Sequence, residues 1–431
     1  MPATVATKNR SHQLAAALTI ALVPAFVLSQ WIAVRWTIPI RAAFNVTVLA
    51  VAAFLIVRNR RLLVTYRREL VISGALLGSI IISAILHFDS VGVVVFGAMP
   101  YLGAIVILLA ALSSPLRRSD VTRAVGVVVV TIALMAVAAV LQLVFGRPAY
   151  VVSLQDLAYP RWWERGRATG LVANPGRLGQ LGVFAIALTP LVSRRRIAFA
   201  LVSAIVVAAS SSRLAVLISL AVLMAWPLLR SQRARRTLLV AGAGVIAAVL
   251  VIQLTVPEAR DNLWSRTNSA ISEATNPDGV ARDIRVENLR SGWAAWKDAP
   301  VLGWGPGRFG STTAWRYGSD LHGRYDLPDV RSEEVASALL LQDGSEIDVG
   351  TAQLDLGWLQ IATELGVVGL VGFMALLGSV MARAWTNRSV TSLILMGVLA
   401  LFTIASPGLV DLSLAVVFLW WAGVTVATEA T

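Results

Sequence analysis

Apolar stretches of about 18 to 25 residues recur along most of the chain, each long enough to cross a hydrocarbon core of roughly 30 Å. They fall at 13–34, 38–57, 70–86, 91–113, 121–145, 171–192, 197–210, 214–229, 237–256, 356–382, 390–405 and 408–427, which predicts twelve transmembrane helices. Backbone in lipid has no water to bond, so the expected fold is an all-α polytopic membrane protein. Composition agrees. Of 431 residues, 57% are hydrophobic and 14% charged, where a soluble domain carries roughly 25% charged residues. An ordinary soluble enzyme and a disordered chain are both excluded. The first span lacks a cleavable-leader pattern and is expected to persist as a helix.

The net charge is +13, which in a soluble protein would point to nucleic acid. The positions of the basic residues say otherwise. Alternate connections hold Lys8 and Arg10; Arg58, Arg60, Arg61, Arg67 and Arg68; Arg117 and Arg118; Arg194 to Arg196; Arg230, Arg233, Arg235 and Arg236; Arg383 and Arg388. With twelve spans all of these fall on one side, and basic connections mark the cytoplasmic side. Both termini are then expected in the cytoplasm of a cell whose inner membrane holds the chain. No nucleic-acid partner is expected.

Residues 1–256 thus carry nine spans, 257–355 form one large extracytoplasmic loop, and 356–431 carry three more spans. The loop has 10 basic and 16 acidic residues, a net of −6, which leaves +19 for the rest of the chain. Within it, 281–299 reads as an amphipathic helix with Ile284, Leu289, Trp293 and Trp296 at helical spacing. "PVLGWGPGRFG" (300–310) follows as a glycine-rich turn. "GPGRFG" matches a dinucleotide fingerprint in letters only, because no strand precedes it and no βαβ unit surrounds it. A tight turn presenting Trp304 and Arg308 fits its setting better. The absence of cysteine excludes disulfides and thiolate chemistry, and three histidines (His12, His87, His322) offer little for a zinc centre.

Polar groups at membrane depth are costly and mark partners, cavities or pathways. Arg213 lies at the outer end of a span in "SSSRLAV". Asn174 and Arg177 share a helix face in "LVANPGRLGQLG", beside a Pro-Gly pair able to open the backbone. Glu364 lies about two turns into the span after the loop, and Asp411 just inside the last one. Helix–helix contact is the competing reading for each. Outside the membrane, Arg161, Arg165 and Arg167 crowd "YPRWWERGRATG"; guanidinium forks there suit a lipid-linked phosphate, or headgroup contact beside the Trp162-Trp163 pair. Asp355, where the loop re-enters the bilayer, suits either a general base or a helix N-cap.

Four stretches in order resemble the O-antigen ligase and polymerase-like superfamily of polysaccharide membrane proteins: "GRATGLVANPGRLG" (166–179), "SSSRLA" (210–215), "IRVENLRSGWAAWKDAPVLGWGPGRFG" (284–310) and "LDLGWLQIATELGVVGL" (354–370). The resemblance covers roughly 165–373. It implies transfer of a glycan from a polyprenyl-diphosphate-linked donor to a hydroxyl on a glycan or lipid acceptor, with no metal and no cofactor. By position, Arg167, Arg213 and Arg285 match the arginines that grip the diphosphate, and Glu364 matches the acid of the exit helix. Asn174, Arg177, Trp304 and Arg308 fall in the same segments as candidate substrate contacts. The family's exit histidine is replaced here by Asp355, followed by Leu356. A flippase-like transporter and a non-catalytic scaffold for envelope assembly are the competing functions.

Overall fold

The computed structural model describes residues 2–36, 40–145, 168–172, 175–192, 195–224, 232–256, 284–311, 313–314, 319–325, 356–405 and 412–429. Among these residues all regular structure is helical. The longer helices are α1 (Pro2–Trp36), α2 (Ile40–Arg58), α4 (Arg67–Leu86, entered through the short α3, Arg60–Leu63), α5 (Val91–Leu112) and α6 (Arg118–Phe145). Then come α7 (Pro175–Leu188), α8 (Arg196–Ala209), α9 (Arg213–Met224) and α10 (Gln232–Thr255). In the loop lie α11 (Ile284–Asp298) and α12 (Asp320–Arg324), and α13 (Gly357–Thr386), α14 (Val390–Ala405) and α15 (Leu412–Glu429) close the chain.

A helix stands at each predicted span, but they are not alike. Among the described residues, six are long and apolar enough to cross a bilayer. α7, α8 and α9 run only 14, 14 and 12 residues, about 21 Å or less at 1.5 Å per residue. The chain is a membrane protein.

Its centre is α15. Trp420 and Trp421 are fully buried, α15 packs on α5, α14 and α1, and the Trp420 indole donates to Thr19 Oγ1 of α1 at 3.0 Å. Polar ties gather helix ends at one end of the bundle. His12 of α1 meets Asp120 of α6 at 2.9 Å. Arg383 of α13 forks onto Glu69 of α4 at 3.0 and 3.1 Å and covers the Tyr66 ring at 4.6 Å. The opposite end carries the loop elements.

In α11 the predicted apolar face is not the buried one. Asn288, Ser291 and Ala295 face inward, while Leu289 and Trp293 are 39% and 41% exposed. The small residues let α11 lie close against α13; Leu289 and Trp293 are left outside, while Trp296 is half-buried.

Candidate functional site: a broken helix stapled by a glycine-rich turn

α13 is not the continuous span its hydropathy predicts. At Gly366 the backbone turns to φ 66°, ψ −170°, in the left-handed half of φ that glycine enters without strain. The break leaves carbonyls of the first half-helix and amides of the second without helical partners. Left bare at membrane depth, each costs several kcal/mol. The turn after α11 supplies the partners. The Trp304 and Gly305 amides donate to the Thr363 and Glu364 carbonyls at 2.8 and 2.9 Å, and the Val367 and Val368 amides donate to the Pro300 and Val301 carbonyls at 2.8 and 3.2 Å. Ser83 of α4 adds its hydroxyl to the Leu302 carbonyl at 2.7 Å and the Glu364 carbonyl at 3.3 Å.

This contact is backbone against backbone, which explains the glycines of the turn. A Cβ on Gly303 would run into the Glu364 carbonyl carbon, and one on Gly366 into the Val301 carbonyl. Gly307 meets Gly97 of α5 in the same way, with a Cβ on it only 2.7 Å from the Gly97 Cα. "GWGPGRFG" is thus a docking surface for helices, not a phosphate cradle.

Glu364 lies at the centre of this assembly and is fully buried. Its Oε2 accepts the Tyr101 hydroxyl at 2.6 Å and its Oε1 the Phe309 amide at 3.4 Å. The Gly307 amide and Ser311 hydroxyl also face it. Tyr101 comes from α5 and is 1% exposed. It escaped the sequence reading, although the signal was there: it is the one side chain in Val91–Leu112 that carries a hydroxyl.

The other residues of the turn are also engaged. Arg308 pairs with Asp320 at 2.9 Å, and its carbonyl accepts the Ser319 hydroxyl at 2.5 Å. The Trp304 indole donates to the Ala295 carbonyl at 2.8 Å; its ring lies 5.8 Å from His87 and 6.1 Å from Tyr325, with the Arg324 guanidinium 5.3 Å above it. His322 Nε2 accepts the Gly310 amide at 3.2 Å. Burial lowers its pKa to about 4 against the raising effect of Asp320, so it is a neutral acceptor. His87 is shifted down too, by burial and then by the Arg308 charge. The Tyr325 hydroxyl, given to Asp298 at 2.6 Å, is raised to about 12 by burial first and that carboxylate second.

A second assembly forms where α6, α7, α8 and α9 meet. The Ala168 amide donates to the Ala209 carbonyl at 2.9 Å, and Gln142 of α6 accepts the Thr169 and Gly170 amides at 2.9 and 2.8 Å. A Cβ on Gly179 would sit 2.7 Å from Ala215 and 2.8 Å from Ser210 Oγ. Ala168 and Gly179 of the stretch 166–179 are therefore neighbours of Ala209 to Ala215, distant in sequence. Arg213 opens α9 with its side chain exposed, behind a turn in which Ser211 has φ 48°. Gln142 is a further residue that sequence reasoning missed. Arg177 donates to Gln30 Oε1 of α1.

Arg285 lies in the first turn of α11, its side chain outside the described residues, as are Arg167, Asn174, Asp411 and Asp355 altogether. The N-cap of α13 is Leu356, one residue beyond Asp355.

Residues 197–374 match the family described as O-antigen ligase. Over this segment the chain is similar to the O-antigen ligase family. It contains three of the four stretches that carry the resemblance and starts after "GRATGLVANPGRLG". The broken helix, the stapled turn and Arg213 all belong to it. No curated protein sequence matches the chain. The match covers less than half of the chain, so the likeness to the O-antigen ligase family holds for that segment.

Proposed function

We propose that the protein transfers a glycan from a polyprenyl-diphosphate carrier to an acceptor hydroxyl at the outer face of the cytoplasmic membrane, in cell-surface polysaccharide assembly. The observation that carries this reading is the family segment itself, folded so that its loop is tied to the break in α13. The basic connections and the alternation of helices support cytoplasmic termini and an outer loop.

In this reading the acceptor oxygen attacks the anomeric carbon, the bond from that carbon to the phosphate oxygen breaks, and the carrier leaves as its diphosphate. Arg213, with Arg167 and Arg285, neutralises charge gathering on that leaving group, the kind of electrostatic help that exceeds other catalytic terms in a dry site. Guanidinium forks suit phosphate oxygens bidentately. Asn174 and Arg177 are further substrate contacts in this reading. Asp355 takes the proton of the acceptor hydroxyl, and attack opposite the leaving group inverts the anomeric centre. Glu364, buried and bonded to Tyr101, is a positioning residue that acts through the turn bearing Trp304 and Arg308. A strain lacking the protein should accumulate polyprenyl-diphosphate-linked glycan, identified by mass spectrometry of extracted lipids; an unchanged lipid-linked pool would overturn the proposal.

One observation favours a second reading, transport. Broken helices line transporter sites, where freed backbone groups bind substrate or ion. The break at Gly366 differs, because the chain's own turn occupies those groups. Uptake of labelled glycan lipid into vesicles without any transfer product would support transport.

A further inference from the structure

Between α6 and α8 lies a crevice of about 370 Å3, lined by Val125, Gly126, Val129, Leu191, Phe199 and Val202, with Thr122 and Arg195 at one end and Ala133 at the other. Its walls are almost wholly apolar, yet an arginine stands at its mouth. We infer that it holds one acyl chain of an anionic phospholipid from the leaflet on the arginine side, with the lipid phosphate against Arg195.

Three observations carry this. The first is length. Thr122 to Ala133 on α6 spans about 16 Å at 1.5 Å per residue, close to half of a hydrocarbon core of roughly 30 Å. The crevice therefore matches a single leaflet, from headgroup level to the midplane. The second is charge. Arg195 is exposed, Arg123 next to Thr122 is exposed as well, and 194–196 is a run of three arginines. Basic clusters at membrane level attract anionic headgroups, at about a fivefold gain in affinity for each cation. The third is backbone shape. Arg195 takes φ 57° immediately before α8, an uncommon conformation for a side-chain-bearing residue, and a volume of this size is typical of ligand sites. Gly126 keeps the groove open, since a Cβ there meets nothing within 4 Å.

The site rests on the helices α6 and α8 and not on the proposed reaction, so the two can fail separately. The test is native mass spectrometry of the full-length protein in detergent, titrated with phosphatidylglycerol or phosphatidylcholine. Wild type should retain one phosphatidylglycerol and bind phosphatidylcholine about fivefold more weakly. Arg195→Gln should weaken phosphatidylglycerol about fivefold and leave phosphatidylcholine unchanged. Gly126→Leu, which fills the groove from an open helix face, should lose both lipids, while Val130→Leu on an exposed position should lose neither. Equal affinity for the two lipids, unchanged binding in Arg195→Gln, or a co-purified polyprenyl lipid in place of phospholipid would each overturn the inference.

Discussion

The turn at 300–310 and the corner at 209–213 lie in the same family segment and each carries an arginine, but they hold it in opposite ways. In the turn, Arg308 is 17% exposed and pairs with Asp320, and Trp304 and His322 beside it have bonded partners. In the corner, Arg213 stands exposed at the start of α9, where the chain leading into α7 is brought alongside. Charge already neutralised inside a fold stabilises the fold; charge held at a rigid but open position is available to a ligand. On the proposed function the turn is architecture and the corner holds substrate, although both look equally functional as motifs.

The turn side breaks first at its backbone. Gly366→Val should destabilise the protein by roughly 4 kcal/mol, combining a left-handed φ with a clash against Val301. The measurement is thermal unfolding in detergent, and a wild-type Tm would remove the staple from the account.

Acid should act next. The pKa of His322 is lowered to about 4 in the folded protein from 6.5, so its contribution is complete above pH 6.5. It falls as pH drops, because the unfolded chain takes up the proton first, and levels off below about 4. The loss is about 3 kcal/mol at most, and His322→Gln should flatten that part of the pH–stability curve.

Tyr101→Phe removes one hydrogen bond to a buried carboxylate, which costs about 2 kcal/mol. The loss should appear as faster amide exchange at Trp304 and Gly305, whose bonds depend on the Glu364 side of the break. Exchange rates equal to wild type would separate the carboxylate from the staple. The smallest effect belongs to Arg308→Gln. Its Asp320 partner is 75% exposed, so the pair contributes about 0.5 kcal/mol. A larger change in transfer than in stability would move Arg308 from architecture to substrate.

Much of the bundle was legible because its signal is local: an apolar run reads as a helix wherever it sits. The break at Gly366 was not. "LGVVGLVGF" is apolar throughout, and the partners that make a break affordable, Pro300 to Gly305, lie some sixty residues upstream. Glu364 stood out as an acid in an apolar span, but only the fold shows Tyr101 and the turn amides around it. The exposed Leu289 and Trp293 of α11 show periodicity misleading, since a helix lying against another through small residues turns its large ones outward. Hydropathy likewise gave no hint that α15, at the chain's end, is the bundle's centre.

The central claim is that Arg213 handles substrate charge and does not hold the fold. Arg213→Ala protein, expressed in place of wild type, should keep the wild-type Tm and membrane level while glycan transfer falls by about 100-fold or more. The polyprenyl-diphosphate-linked glycan should then accumulate in extracted lipids. Undiminished transfer with normal protein levels would contradict the account.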